Sequence, residues 1–239
     1  GFFSLRTEKA KWIGMENSQF QNPHGLEQEG HYSTAYDMAL LMRYAMNDEV
    51  FTKISGTKSY KAETEDYPWR NKNKLLTRYY EYCIGGKTGF TRAAGRTLVT
   101  SAEKEGMKLI VVTLNASSDW NDHTNLYEWG YDSYELEKIR NEGNIFITLP
   151  DGETFNGEIK TPVILPLTKE EEAKLEDVTY LKENIQLIED SLIGKQVYKV
   201  GDEILATRNI VYKHKLDKKE DENFFEKIKE IFHQISGVQ

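Results

Sequence analysis

The chain has 239 residues, 31 Lys and Arg against 39 Asp and Glu, and a formal net charge of −8. With 38% hydrophobic and 12% aromatic residues it can fold around a core, and its length leaves room for two modest domains. The absence of a basic block or stripe excludes a nucleic-acid binder, the lone Cys83 excludes an internal disulfide, and no run reaches the roughly 18 apolar residues of a membrane span.

Residues 1–13 predict a helix, with apolar side chains near positions 2, 5, 9–10 and 13 and Gly14 at the position after its C-cap. Pro23-His24-Gly25 is a turn. His24 and His31 are tempting as acid–base groups, yet no nearby carboxylate is placed to tune either ring. Thr34 caps a second helix, with Asp37 three residues on and a buried stripe of Met38, Leu41, Met42 and Ala45, stopped by Asn47-Asp48. Asn71 and Asn73 lie two apart before Leu75-Leu76: on an extended segment they share a face and suit a polar substrate groove, while turn formation by their amides is the alternative. Cys83 is either a reactive thiol or a buried apolar filler. No His/Cys/Asp set has metal-ligand spacing, so no metal or cofactor is expected.

Gly85-Gly86-Lys87-Thr88-Gly89 is the most informative stretch. Residues 96–102 and 107–114 are β-branched strands joined by a turn at Glu103-Lys104-Glu105-Gly106, which puts Lys-Thr-Gly on a strand at the margin of an antiparallel sheet. There Lys87 and Gly89 point to one face and Thr88 to the other. The lysine offers a cation to a carboxylate, the threonine a hydroxyl, the glycine close access to the backbone, and the main chain a pairing edge. Such a triad is one third of the signature of serine acyl-transfer enzymes that bind β-lactams, the others being Ser-x-x-Lys and a Ser-x-Asn type motif. Two Ser-x-x-Lys strings occur, Ser55-Gly56-Thr57-Lys58 and Ser101-Ala102-Glu103-Lys104. The chemistry needs serine at the start of a helix with the lysine one turn later. Ser55 runs into Gly56 and a strand-like segment, and Ser101 ends a strand, so neither fits.

After Tyr134 short strands and turns succeed one another at 145–149, 158–165, 183–188, 195–202 and 203–207, the pattern of a small all-β module. From Asp221 the pattern changes: Phe224, Phe225, Ile228, Ile231, Phe232 and Ile235 share one helical face opposite a nearly balanced set of charges.

Several spaced motifs occur together: Asn22-Pro23-His24-Gly25-Leu26, Gly30 to Ala39, Asn71 to Leu76, Gly86 to Thr91, Ala94-Gly95-Arg96, Trp120-Asn121-Asp122 and Trp129-Gly130-Tyr131. In this order the set resembles the D-alanyl-D-alanine carboxypeptidases, the low-molecular-weight penicillin-binding proteins of serine peptidase family S11. The resemblance implies an α+β fold: a partial penicillin-binding, β-lactamase-like transpeptidase domain over 1–136, a β-rich stalk domain over 137–213, and a linker with an amphipathic helix over 214–239. It implies that Lys87, Thr88 and Gly89, with Asn71 and Asn73, bind the carboxyl end of a peptidoglycan pentapeptide, and that the Phe90 backbone N–H is one oxyanion donor. It further implies removal of the terminal D-alanine through an acyl-enzyme on a serine outside this chain, β-lactam binding only with that missing portion, and residence on the outer face of the bacterial cytoplasmic membrane. The absence of an initiating Met and of a signal peptide adds the expectation that residue 1 falls inside the family's domain, so that the chain by itself is inactive. A noncatalytic scaffold is the alternative. Residues 222–239 are expected to lie on a membrane surface, with a protein surface as the rival.

Overall fold

The structure, a computed structural model, describes residues 2–149, 152–183, 185 and 188–215. The amphipathic helix expected within 214–239 falls on residues outside these. The chain divides between Tyr134 and Glu135 into two compact units.

The first unit opens with helix α1, Phe2–Trp12. It ends in a Schellman arrangement: Gly14 adopts φ 92°, its N–H donates to the Lys11 carbonyl at 3.0 Å, and Met15 N–H donates to Ala10 at 2.9 Å. Ala10 and Met15 are both buried there. Helix α2, Ala35–Ala45, starts at Thr34, whose side chain accepts from Asp37 N–H. Its stripe differs from the expected one, since Met42 is buried but Met38, Leu41 and Ala45 only half so. The fully enclosed residue is Asp37, which accepts from Asn17 N–H at 2.8 Å and from the Ser18 hydroxyl at 2.7 Å. Helix α3, Glu49–Ser55, is capped by Asp48.

Two short strands, β1 (Ser59–Tyr60) and β2 (Trp69–Arg70), pair antiparallel, and a π-helical turn at Leu75–Tyr79 leads into the main sheet. That sheet has the order β3 (Cys83–Thr91), β4 (Gly95–Lys104), β5 (Met107–Leu114), all antiparallel, so β3 and β5 are its margins among the described residues. The β4–β5 turn is two residues long. Glu105 and Gly106, at φ 52° and 84°, give the left-handed conformation that such a hairpin demands. Helix α4, Asp119–Ser133, covers the face carrying Leu98, Thr100 and Ala102, where a core forms with Leu75, Leu76, Tyr80, Cys83, Val111 and Tyr127. Val99 and Ser101 point away from α4 by strand alternation and are nonetheless buried, and α2 packs against β4 and β5.

The second unit is β-rich, as its sequence texture predicts. Strands β6 (Glu135–Arg140) and β9 (Val163–Leu167) form a two-stranded ribbon. Strands β7 (Gly143–Thr148), β8 (Thr154–Ile159), β10 (Leu175–Leu181), β11 (Leu192–Val200) and β12 (Glu203–Lys215) form a sheet in the order β10-β11-β12-β8-β7. A single turn, α5 at Lys169–Glu172, is closed by a capping box between Thr168 and Glu171. The segment 158–165, read as one strand, is broken between β8 and β9 at Lys160-Thr161-Pro162. The strand expected at 183–188 is absent at its described residues Glu183, Ile185 and Ile188, and pairing is carried instead by β10.

Candidate functional site

Strand β3 carries the Lys-Thr-Gly triad along a margin of the sheet that no other described strand covers. Its beginning is tightly enclosed. A Cβ on Gly85 would lie 2.7 Å from Ser55 Oγ and displace that hydroxyl, and one on Gly86 would lie 2.5 Å from the Val99 carbonyl and 2.8 Å from Thr100 Cγ2, so Gly86 requires glycine. Beyond them the strand opens: Lys87, Gly89 and Phe90 are exposed and Thr88 half-buried. Lys87 and Gly89 stand opposite Val99 and Thr97, and Thr88 and Phe90 opposite Leu98 and Arg96, the alternation that the sequence predicts. The Lys87 ammonium donates to the Thr88 carbonyl. A Cβ on Gly89 would run into Thr97 Oγ1, so a side chain there would have to turn the hydroxyl of its cross-strand neighbour aside.

A loop faces the far end of this strand. Gln19 and Tyr32 exchange backbone hydrogen bonds at its neck, at 2.9 and 3.1 Å. Buried Asn22 organises its tip, accepting from Gly25 N–H at 2.8 Å and donating to the Leu26 carbonyl at 2.9 Å and to Gln28 Oε1 at 3.1 Å. Glu27 Oε1 accepts from Ala93 N–H at 2.9 Å, joining the loop to the β3–β4 turn. Between them lies a groove of about 590 Å³, with residues 25–29 and His31 on one side and Thr91, Ala93 and Ala94 on the other. The two histidines of this region have local work: His24 Nδ1 accepts from Leu26 N–H and His31 Nδ1 from Gln21 N–H.

Asn71 and Asn73 adopt the second of the two geometries open to them. Asn73 is buried; its Oδ1 accepts from the N–H groups of Leu75 and Leu76 at 3.1 and 3.4 Å, and its Nδ2 lies 3.9 Å from Cys83 Sγ. Asn71 donates to the Thr57 carbonyl at 3.0 Å and accepts from Asn73 N–H at 3.0 Å. Their amides therefore fix the turn that leads into β3. Cys83 is a buried thiol, pushed above its usual pKa by burial. Ser55 is the last residue of α3 and its hydroxyl contacts the Thr52 carbonyl, and Ser101 lies buried within β4. Neither begins a helix that would carry a lysine onto the same face. Among the described residues no group of three His, Cys, Asp or Glu could hold a metal ion.

One polar constellation is assembled only by the fold. His123 of α4 is fully buried, with Nδ1 2.7 Å from Thr100 Oγ1 and Nε2 3.1 Å from Thr113 Oγ1, and the Tyr127 hydroxyl lies 2.7 Å from the same Thr100 oxygen. Burial lowers the His123 pKa to about 4, against the opposing pull of the Asp119 charge and a backbone hydrogen bond at Leu98. One turn earlier, buried Asp119 takes a two-pronged ion pair from Arg96, at 2.6 and 3.1 Å. Its sequence signal is a spacing: Asp119, His123 and Tyr127 recur every four residues on one face of α4.

An antiparallel sheet clad by helices, with an open Lys-Thr-Gly margin, is the fold of penicillin-binding proteins. Penicillin binding protein 5 of Haemophilus influenzae superposes with a TM-score of 0.70 at 25% identity, over 90% of this chain and 65% of that one. The D-alanyl-D-alanine carboxypeptidase DacF of Bacillus subtilis is 30% identical over 229 residues, which are 91% of this chain and 59% of that protein. The carboxypeptidase DacC of Escherichia coli is 37% identical over 139 residues, 56% of this chain and 34% of that one. The sequence profile of the D-alanyl-D-alanine carboxypeptidase family, peptidase S11, matches residues 1–118, and this part of the chain belongs to that family. The chain thus spans less than two thirds of the length of these relatives.

Proposed function

We propose that the chain is the groove and stalk portion of a serine D-Ala-D-Ala carboxypeptidase, which removes the terminal D-alanine of peptidoglycan stem peptides through an acyl-enzyme. The observation that carries this reading is the uncovered length of β3 from Lys87 to Phe90. In an antiparallel ladder alternate residues turn their N–H and C=O groups outward. Because the Thr88 carbonyl takes the Lys87 ammonium, Thr88 and Phe90 form the outward set. A peptide carboxylate would draw the ammonium away and gain the Thr88 hydroxyl, while Phe90 N–H would donate to the oxyanion. Two such donors contribute several kcal/mol, of which this chain supplies one. The nucleophile lies outside these 239 residues, since neither Ser55 nor Ser101 begins a helix. The reaction places the protein in the cell envelope, acting on the wall that sets cell shape; we extend this to a secreted, membrane-associated protein whose residues 222–239 rest on the membrane.

A second reading, a scaffold that keeps the groove without acylating, is favoured for the isolated chain by the same two serines. Mixing a fluorescent penicillin with the chain alone, and with the chain joined to a segment bearing Ser-x-x-Lys, separates the two. The expected result is no covalent label on the chain alone and one label, on the added serine, in the joined protein. Labelling of Ser55 or Ser101, or none in the joined protein, overturns the proposal.

A further inference from the structure

The two ends of β3 differ in what they can admit. At the start, Gly85 and Gly86 are buried, and Ser55 at the end of α3 sits against Gly85, so an added strand cannot extend past them. From Lys87 to Thr91 the margin is open. This part of the argument rests on the reading above, that a terminal carboxylate sits at Lys87. A peptide so anchored and paired antiparallel to β3 must run its upstream residues toward Thr91, because the parallel direction leads into the closed end. At ~3.3 Å per residue, the third and fourth residues from the carboxylate lie roughly 10–13 Å along the strand. That distance brings them to Thr91 and the mouth of the 590 Å³ groove.

The groove has a built wall. Glu27 clasps the Ala93 backbone, Asn22 fills the loop behind it, and the base is tied to α2 by Asp37 through Asn17 and Ser18, with Ser18 and Ser33 in contact at 2.7 Å across the neck. We infer that this groove binds the peptide backbone three to four residues upstream of the terminal carboxylate, and that Glu27 is a positioning residue that holds the loop against the β3–β4 turn to form it.

The test uses the intact carboxypeptidase, with a pentapeptide substrate and a short one that ends at the terminal dipeptide. Glu27→Ala should lower the ratio of kcat/KM for the long substrate over the short by at least five-fold, through KM. Glu27→Gln, whose amide oxygen still accepts from Ala93 N–H, should restore it. Ala94→Phe, which blocks the groove from an exposed position, should lower the same ratio without touching the clasp. An unchanged ratio in both Glu27→Ala and Ala94→Phe, or an equal loss on both substrates, overturns the inference. Failure of the underlying reading is distinct, since the unmodified protein would then turn over neither substrate.

Discussion

His123 illustrates how one side chain can set an acid limit on stability. An imidazole in the unfolded chain titrates near ~6.5, whereas burial holds the folded one at about 4. Between those values the unfolded chain binds more protons, so stability rises with pH across the window. The contribution is complete above ~6.5, declines as the pH falls, and is gone below about 4; it amounts to at most about 3 kcal/mol. Denaturant titrations at pH 7 and pH 4.5 should show that loss, and His123→Gln should flatten it. Arg96 gives a second expectation. Arg96→Met leaves the enclosed Asp119 carboxylate with the Trp120 N–H as its remaining donor of those seen here. The half-exposed arginine moderates the effect, and a loss of about 1–2 kcal/mol in unfolding free energy is expected. His24 and His31 stand out in the sequence because they fall within the motifs at 22–26 and 30–39. His123 does not stand out, because its partners Thr100 and Thr113 come from two strands and meet it only once α4 lies on the sheet.

At the level of elements, β3 depends on what lies beneath it. Thr100 is locked by His123 and Tyr127, so it cannot yield to a larger residue at Gly86. Gly86→Ala should therefore cost about 2–3 kcal/mol and shift the strand, slowing penicillin acylation of the intact protein. A midpoint in urea and an acylation rate, measured on the same variant, check both halves. The strand itself was legible because its signals are contiguous: a glycine-flanked triad followed by two β-branched runs and a tight turn. Strand β10 was hidden because its half-buried residues, Leu175, Val178 and Leu181, recur every third position, and alternation by two is the pattern a reader seeks. The asparagine pair shows a different limit. Two amides on an extended segment look alike whether they serve a ligand or a turn, and only the backbone N–H groups of Leu75 and Leu76 decide.

Across the whole molecule the second unit keeps its own interior. Phe155, Ile159, Ile193 and Ile210 form one buried cluster there, and Val163, Leu165, Leu167 and Tyr198 another. Residues 135–239 produced alone should unfold in a single cooperative step, seen as coincident transitions by fluorescence and circular dichroism. The all-β character of this unit was readable from its regular turns. Its strand order was not, because β12 lies between β11 and β8 and so pairs with a strand more than forty residues earlier in the chain.

The bare rim of β3 has a consequence for solubility. Any unsaturated backbone edge invites pairing with a second copy of itself, and here the edge is flanked by the exposed ring of Phe90. A copy paired antiparallel over the open stretch would set each Lys87 against Thr91 of the other and draw its ammonium out of solvent, a desolvation cost that opposes that dimer. Lys87→Met should thus promote concentration-dependent clumping, visible by light scattering.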